Sequence, residues 1–64
     1  MNIKRLREAA GMNRSELARR MGVARPSLIA WEEGKAYPST ANLIKLAELF
    51  GCSVDELLGR DRSA

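Results

Sequence analysis

Apolar side chains along this 64-residue chain recur at helical intervals, and glycines cut the pattern into short runs. Ile3, Leu6 and Ala10 stand at i, i+3 and i+7, which predicts a first helix over roughly residues 2 to 10, with Gly11 where a left-handed C-cap falls. Asn13 followed by Glu16 is a capping-box pattern, and Leu17 and Met21 form an i, i+4 pair before Gly22 stops a second helix of about two turns. Val23 is an apolar plug for the turn that follows. A third helix is expected from about residue 25 to Glu32 or Glu33, with Leu28 and Trp31 on one face and Gly34 at its end. Ser39 caps a fourth helix, in which Leu43, Ile44, Leu46, Ala47 and Phe50 sweep an arc of roughly 160° at about 100° per residue, leaving Leu49 outside. Gly51 closes it. Ser53 and Glu56 form a second capping-box pattern, opening a fifth helix that carries Val54, Leu57 and Leu58. No strand-like alternation and no Asn-Gly or Asp-Gly hairpin turn competes, so the expected class is all-α, a compact five-helix unit.

Length and composition narrow what such a unit can do. A chain this short is one domain, expected over residues 1–58 with a tail at 59–64, and it hides only about 60% of its unfolded surface, which leaves little room for a deep catalytic cleft. Cys52 is the sole cysteine and histidine is absent, so disulfides within the chain, Cys/His metal sites and His-dependent nucleophiles are excluded; Cys52 is expected as a small buried or half-buried apolar group. No carboxylate pair, nucleophile with base or phosphate loop is present. The expectation is a non-enzyme with no cofactor, no metal and no small-molecule substrate. No apolar run has the length of a signal peptide core or a membrane helix, so no membrane partner is expected, and the cytoplasm is the expected compartment.

Charge is unevenly spread. Residues 1–35 hold eight bases against four acids, whereas residues 36–64 hold three against four. The N-terminal half is therefore the half expected to face a polyanion.

The second and third helices, residues 13 to 31, form two short helices around a tight glycine-containing turn, the layout of a helix-turn-helix. The run Ser15-Glu-Leu-Ala-Arg-Arg-Met-Gly-Val, then Trp31-Glu-Glu-Gly-Lys, Pro38-Ser39 and a closing Ser-x-Asp-Glu-Leu-Leu resembles the Cro/phage-repressor class of helix-turn-helix domains, the Xre family, over residues 2 to 58. The resemblance implies a lambda-repressor-like fold that binds double-stranded DNA through the major groove as a transcriptional regulator, repressor-like, with a homodimer on half-sites about one helical turn (roughly 34 Å) apart. It implies a pair between Arg7 and Glu32. It places Asn13 and Arg14 at a backbone phosphate, and turns Arg25, Pro26, Ser27, Ile29 and Ala30 toward base edges while Leu28 and Trp31 face inward. Lys35, the N–H groups of the 34–37 loop and Tyr37 are expected at a phosphate on the far side, with Glu33 opposing them.

Two departures from the family pattern matter. Ala24 stands where a serine cap is usual, and Pro26 disfavours helical geometry at Arg25, so the third helix is expected to start at Pro26 with Arg25 in the turn. Arg25 there reads guanine or grips phosphate. Ile29 and Ala30 replace polar or basic residues; they pack on thymine methyls, or the face serves a protein partner as in an antitoxin-like or adaptor module. Leu49 and Leu58 are the expected dimer contacts. Salt separates the readings, because counterion release makes DNA affinity fall steeply with salt and an apolar protein contact lacks that dependence.

Overall fold

The computed structural model describes residues 1–59 as five α-helices: α1 (Ile3–Ala9), α2 (Arg14–Met21), α3 (Arg25–Glu33), α4 (Thr40–Phe50) and α5 (Val54–Leu58). The expected tail lies, from residue 60 on, outside the described residues. Each predicted helix is present within one or two residues of its expected bounds, and no strand occurs among the described residues.

Local chemistry accounts for the boundaries. Asn13 Oδ1 accepts from the Glu16 N–H at 2.8 Å and Ser39 Oγ from the Asn42 N–H at 3.2 Å, so α2 and α4 begin where a short polar side chain replaces a missing backbone partner. At α5 the capping box is complete, since Glu56 also accepts from the Ser53 N–H at 3.1 Å. At α2 it is half made. The Glu16 carboxylate lies 3.5 Å from Arg20 one turn later instead of returning to Asn13, because an i, i+4 cation offers it an opposite charge. Gly22 ends α2 at φ +71°, a left-handed conformation that a side chain would strain, and this turns the chain into α3.

The core is contributed by every helix. Ile3, Leu17, Leu28, Leu46 and Leu57 are fully buried, and Ala18, Met21, Trp31 and Ala47 nearly so. Trp31 is thus a core residue, as its spacing from Leu28 predicts. Cys52 is half-buried against this cluster, and burial, with the nearby Glu56 charge, pushes its thiol pKa up. The first and last helices are tied: the Asn2 N–H donates to the Leu57 carbonyl and Asn2 Nδ2 to the Glu56 carbonyl, both at 2.9 Å, so α1 and α5 close the bundle.

Helix α4 is rotated from its expected setting. Its buried and half-buried apolar residues are Leu43, Leu46, Ala47, Leu49 and Phe50, while Ile44, expected inside, is 48% exposed. The apolar positions of α4 cover roughly 220° at about 100° per residue, more than one face can bury, and the sequence does not say which edge turns in. Lys45, next to Leu49 on the helical wheel, donates from Nζ to the Met21 carbonyl at the end of α2 at 3.1 Å. That edge therefore faces α2.

Replacing Leu46 by alanine should cost ~2–5 kcal/mol of unfolding free energy in urea titrations. Ile44→Ala should stay within about 0.5 kcal/mol of the parent, with Leu49→Ala between the two.

Candidate nucleic-acid interface

Helix α3 is anchored on one side only. Leu28 at 0% and Trp31 at 7% exposure fix its rotation, and the opposite side carries Pro26, Ile29, Ala30 and Glu33 at i, i+3, i+4 and i+7. Arg25, Pro26 and Ser27 are exposed at its first turn; Ile29 and Ala30 are half-buried. The helix starts at Arg25, not at Pro26. The Ser27 and Leu28 N–H groups donate to the Ala24 carbonyl at 3.0 and 3.3 Å, and Pro26 sits at a first-turn position where a missing N–H costs nothing. Arg25 therefore rides on the helix, with no ion-pair partner among the described residues.

The flanks carry the remaining charge. At the start of α2 Asn13 is exposed, with its side-chain oxygen on the Glu16 N–H, while the Arg14 and Ser15 N–H groups have no partner among the described residues. Past α3, Lys35 is exposed with its Nζ 3.2 Å from the Glu33 carboxylate, and Tyr37 is 71% exposed. The expectation of free N–H groups in the 34–37 loop is corrected in large part. Gly34 donates to the Trp31 carbonyl, and Lys35 and Ala36 donate to that of Ala30, because the left-handed turn at Gly34 folds these amides back onto the last helical carbonyls. Only Tyr37 keeps a backbone N–H without a partner among the described residues.

Beneath this surface lies a buried ionic cluster. Arg7 Nε donates to Glu32 Oε2 at 2.7 Å and Nη2 to Oε1 at 3.4 Å, and Arg7 Nη1 donates to the Met12 carbonyl at 2.9 Å. The pair expected between Arg7 and Glu32 is therefore present, and it has a third member: Arg14 Nε donates to Glu32 Oε1 at 3.0 Å. The Glu32 side chain is 1% exposed, that of Arg7 9% and that of Arg14 33%. Burial alone would raise the Glu32 pKa, but the hydrogen bonds from Arg7 and Arg14 outweigh it and hold the carboxyl below the usual carboxylate range. The hydrogen bond to Glu32 likewise raises the Arg7 pKa against the opposing effect of its burial.

Two placements escaped the sequence reading. Glu33, expected only as a charge opposing the Lys35 and Tyr37 contacts, also shares the outward stripe of α3, which its seven-residue distance from Pro26 signals. The Arg14–Glu32 contact spans 18 residues and has no local signal. Leu49 and Leu58 are both half-buried. No group of metal-ligating side chains occurs among the described residues, and none of their helices is long and apolar enough to cross a membrane.

Two helices around a glycine turn, the second held by its inner face and exposed at its first turn, define a helix-turn-helix domain. The Helix-turn-helix family model matches residues 3–57, and the chain belongs to this family, in its Cro/phage-repressor (Xre) branch. The chain is 34% identical over 59 residues to the HTH-type transcriptional regulator ImmR of Bacillus subtilis, covering 92% of this chain and 46% of that protein. It is 33% identical over 54 residues to the cryptic phage CTXphi transcriptional repressor RstR of Vibrio cholerae, covering 84% and 48%. To the HTH-type transcriptional activator BcrR of Enterococcus faecalis it is 32% identical over 56 residues, covering 88% and 28%. The chain thus spans about half the length of ImmR and RstR and about a quarter of that of BcrR. No solved structure matches it significantly.

A carboxyl whose pKa is lower folded than unfolded adds stability above its unfolded value, near about 4.3, and that contribution is lost as pH falls below it toward the folded value. Unfolding free energy should therefore drop as the medium is acidified below about pH 4, and Glu32→Gln should flatten that dependence relative to the parent. Arg7→Ala, which takes two hydrogen bonds from the buried Glu32 carboxylate and leaves it Arg14 as its cation, should cost ~1.5–3 kcal/mol at neutral pH, read by urea denaturation.

Proposed function

We propose that residues 1–58 act as a sequence-specific reader of double-stranded DNA in a transcriptional regulator, with α3 laid in the major groove. The observation that carries this reading is the first turn of α3, where Arg25, Pro26 and Ser27 are all exposed on a helix whose rotation is fixed by buried Leu28 and Trp31. A base contact requires such a fixed helix, because recognition depends on donor and acceptor positions set to within fractions of an ångström.

Arg25 is the base reader, its guanidinium donating to guanine O6 and N7, and Ser27 assists at the same end. Ile29 and Ala30 offer no donor and pack on thymine methyls, which directs the domain to sites with an A·T step beside the guanine. Arg14 with the open amides of α2 on one flank, and Lys35 with the Tyr37 N–H and hydroxyl on the other, hold backbone phosphates. Asn13 orders the start of α2 by capping it. Glu33 faces the groove among these cations and weakens binding unless its carboxylate accepts from a cytosine amino group.

One such surface makes few base contacts, so specificity calls for two copies on a two-fold site with centres about 34 Å apart. Leu49 and Leu58, which their own chain only half covers, form the contact between copies. The reading involves no catalysis and no cofactor, and it places the protein in the cytoplasm with its DNA.

Selection from random duplexes at two salt concentrations tests the reading: enrichment of an inverted-repeat site and a steep loss of affinity with salt are expected. Absence of any enriched duplex, or binding indifferent to salt, would refute it in favour of a protein partner. On the selected site, Arg25→Ala should relax preference at one base pair by ~1–3 kcal/mol, whereas a uniform loss across sequences would reassign Arg25 to phosphate. Glu33→Gln should tighten binding to sites lacking cytosine at its position several-fold, measured by fluorescence anisotropy.

A further inference from the structure

The Glu32 cluster distributes its charge unevenly. All three nitrogens of Arg7 are engaged, two on Glu32 and one on the Met12 carbonyl, so the Arg7–Glu32 pair is neutral and closed. Arg14 contributes Nε alone, and its two terminal nitrogens, with four N–H donors, have no partner among the described residues. Two cations share one anion, and the uncompensated positive charge leaves the interior through the part of Arg14 that is a third exposed. The contact through Nε also fixes a side chain that otherwise loses substantial rotamer freedom whenever it binds anything.

We infer that Glu32 is a positioning residue for DNA: by gripping Arg14 through Nε it pre-orients the terminal nitrogens toward a backbone phosphate beside the start of α2. The inference rests on the DNA reading above and adds to it a coupling between the buried carboxylate and a surface contact. It also explains why arginine, not lysine, serves at position 14. A single ammonium cannot bond a buried carboxylate with one nitrogen and offer others, held in a fixed plane, to a phosphate outside.

The experiment measures binding of the selected duplex across a salt series, with thermal unfolding followed in parallel by circular dichroism. Arg14→Ala is expected to lower the slope of log affinity against log salt by about one and to weaken binding roughly tenfold at low salt. Arg14→Lys, which keeps the charge, is expected to lose several-fold in affinity while remaining folded at the assay temperature. In a Glu32→Gln background, where the grip on Nε is weakened, the same Arg14→Lys change is expected to cost little more. Equal binding by Arg14→Lys and the parent, or an unchanged salt slope for Arg14→Ala, would overturn the inference without touching the DNA reading. Should the Glu32→Gln protein fail to fold, the single Arg14 variants decide the question alone. A parent protein that binds no duplex at low salt overturns both.

Discussion

The Glu32 carboxylate, almost wholly out of water and held by two guanidinium groups, is the interaction on which the arrangement of the first three helices depends. Arg7 reaches it from α1, Arg14 from the first turn of α2, and Glu32 itself lies near the end of α3. Arg7 also holds the Met12 carbonyl in the short link between α1 and α2. Apolar residues of suitable shape can supply comparable or greater stability than a buried ion pair, so the cluster is best understood through its geometry. A charge that must find its partners in the interior tolerates very few registers of one helix on another. In a core as small as this one, where leucine packing is permissive, that constraint sets where α3 ends relative to the start of α2.

The consequence appears on the outer side of α3. The stripe Pro26, Ile29, Ala30 and Glu33 has no cation, and the positive groups stand around it: Arg25 at one end, Lys35 past the other, Arg14 on the neighbouring helix. In the DNA reading proposed above, Arg14 and Lys35 supply affinity from the rim, and selectivity falls to Arg25 and a narrow, largely apolar strip. Glu33 and Lys35 partly neutralise one another at the C-terminal edge, which leaves the N-terminal edge with the stronger positive field. In the proposed DNA reading, the approach is then asymmetric and favours the end that carries Arg25.

Much of the architecture was legible because this chain punctuates its helices with residues that act locally. Glycines at 11, 22, 34 and 51 all adopt positive φ, and Asn13, Ser39 and Ser53 all cap; both effects operate within four residues and owe nothing to the rest of the fold. Leu28 and Trp31 were legible as core for the same reason, since a three-residue spacing names a face. Local rules failed where two competed. Pro26 argued for a late start to α3, yet the backbone bonds to the Ala24 carbonyl were enough to bring Arg25 into the helix. The loop amides at 34–36 read as free because a sequence shows a glycine C-cap without showing how many amides it folds back.

The sequence by itself determined the number and order of the helices, the helix-turn-helix, the inward face of α3 and the basic character of its flanks, because all of these follow from spacing, capping and charge along the chain. Only the tertiary structure decided which edge of α4 turned inward, so that Leu49 packs on the core and Ile44 does not. It alone brought Arg14 to Glu32 and spent most of the loop amides on their own helix. These outcomes depend on which partner is nearest in space, and residues 18 or 24 apart become neighbours only after the helices have packed.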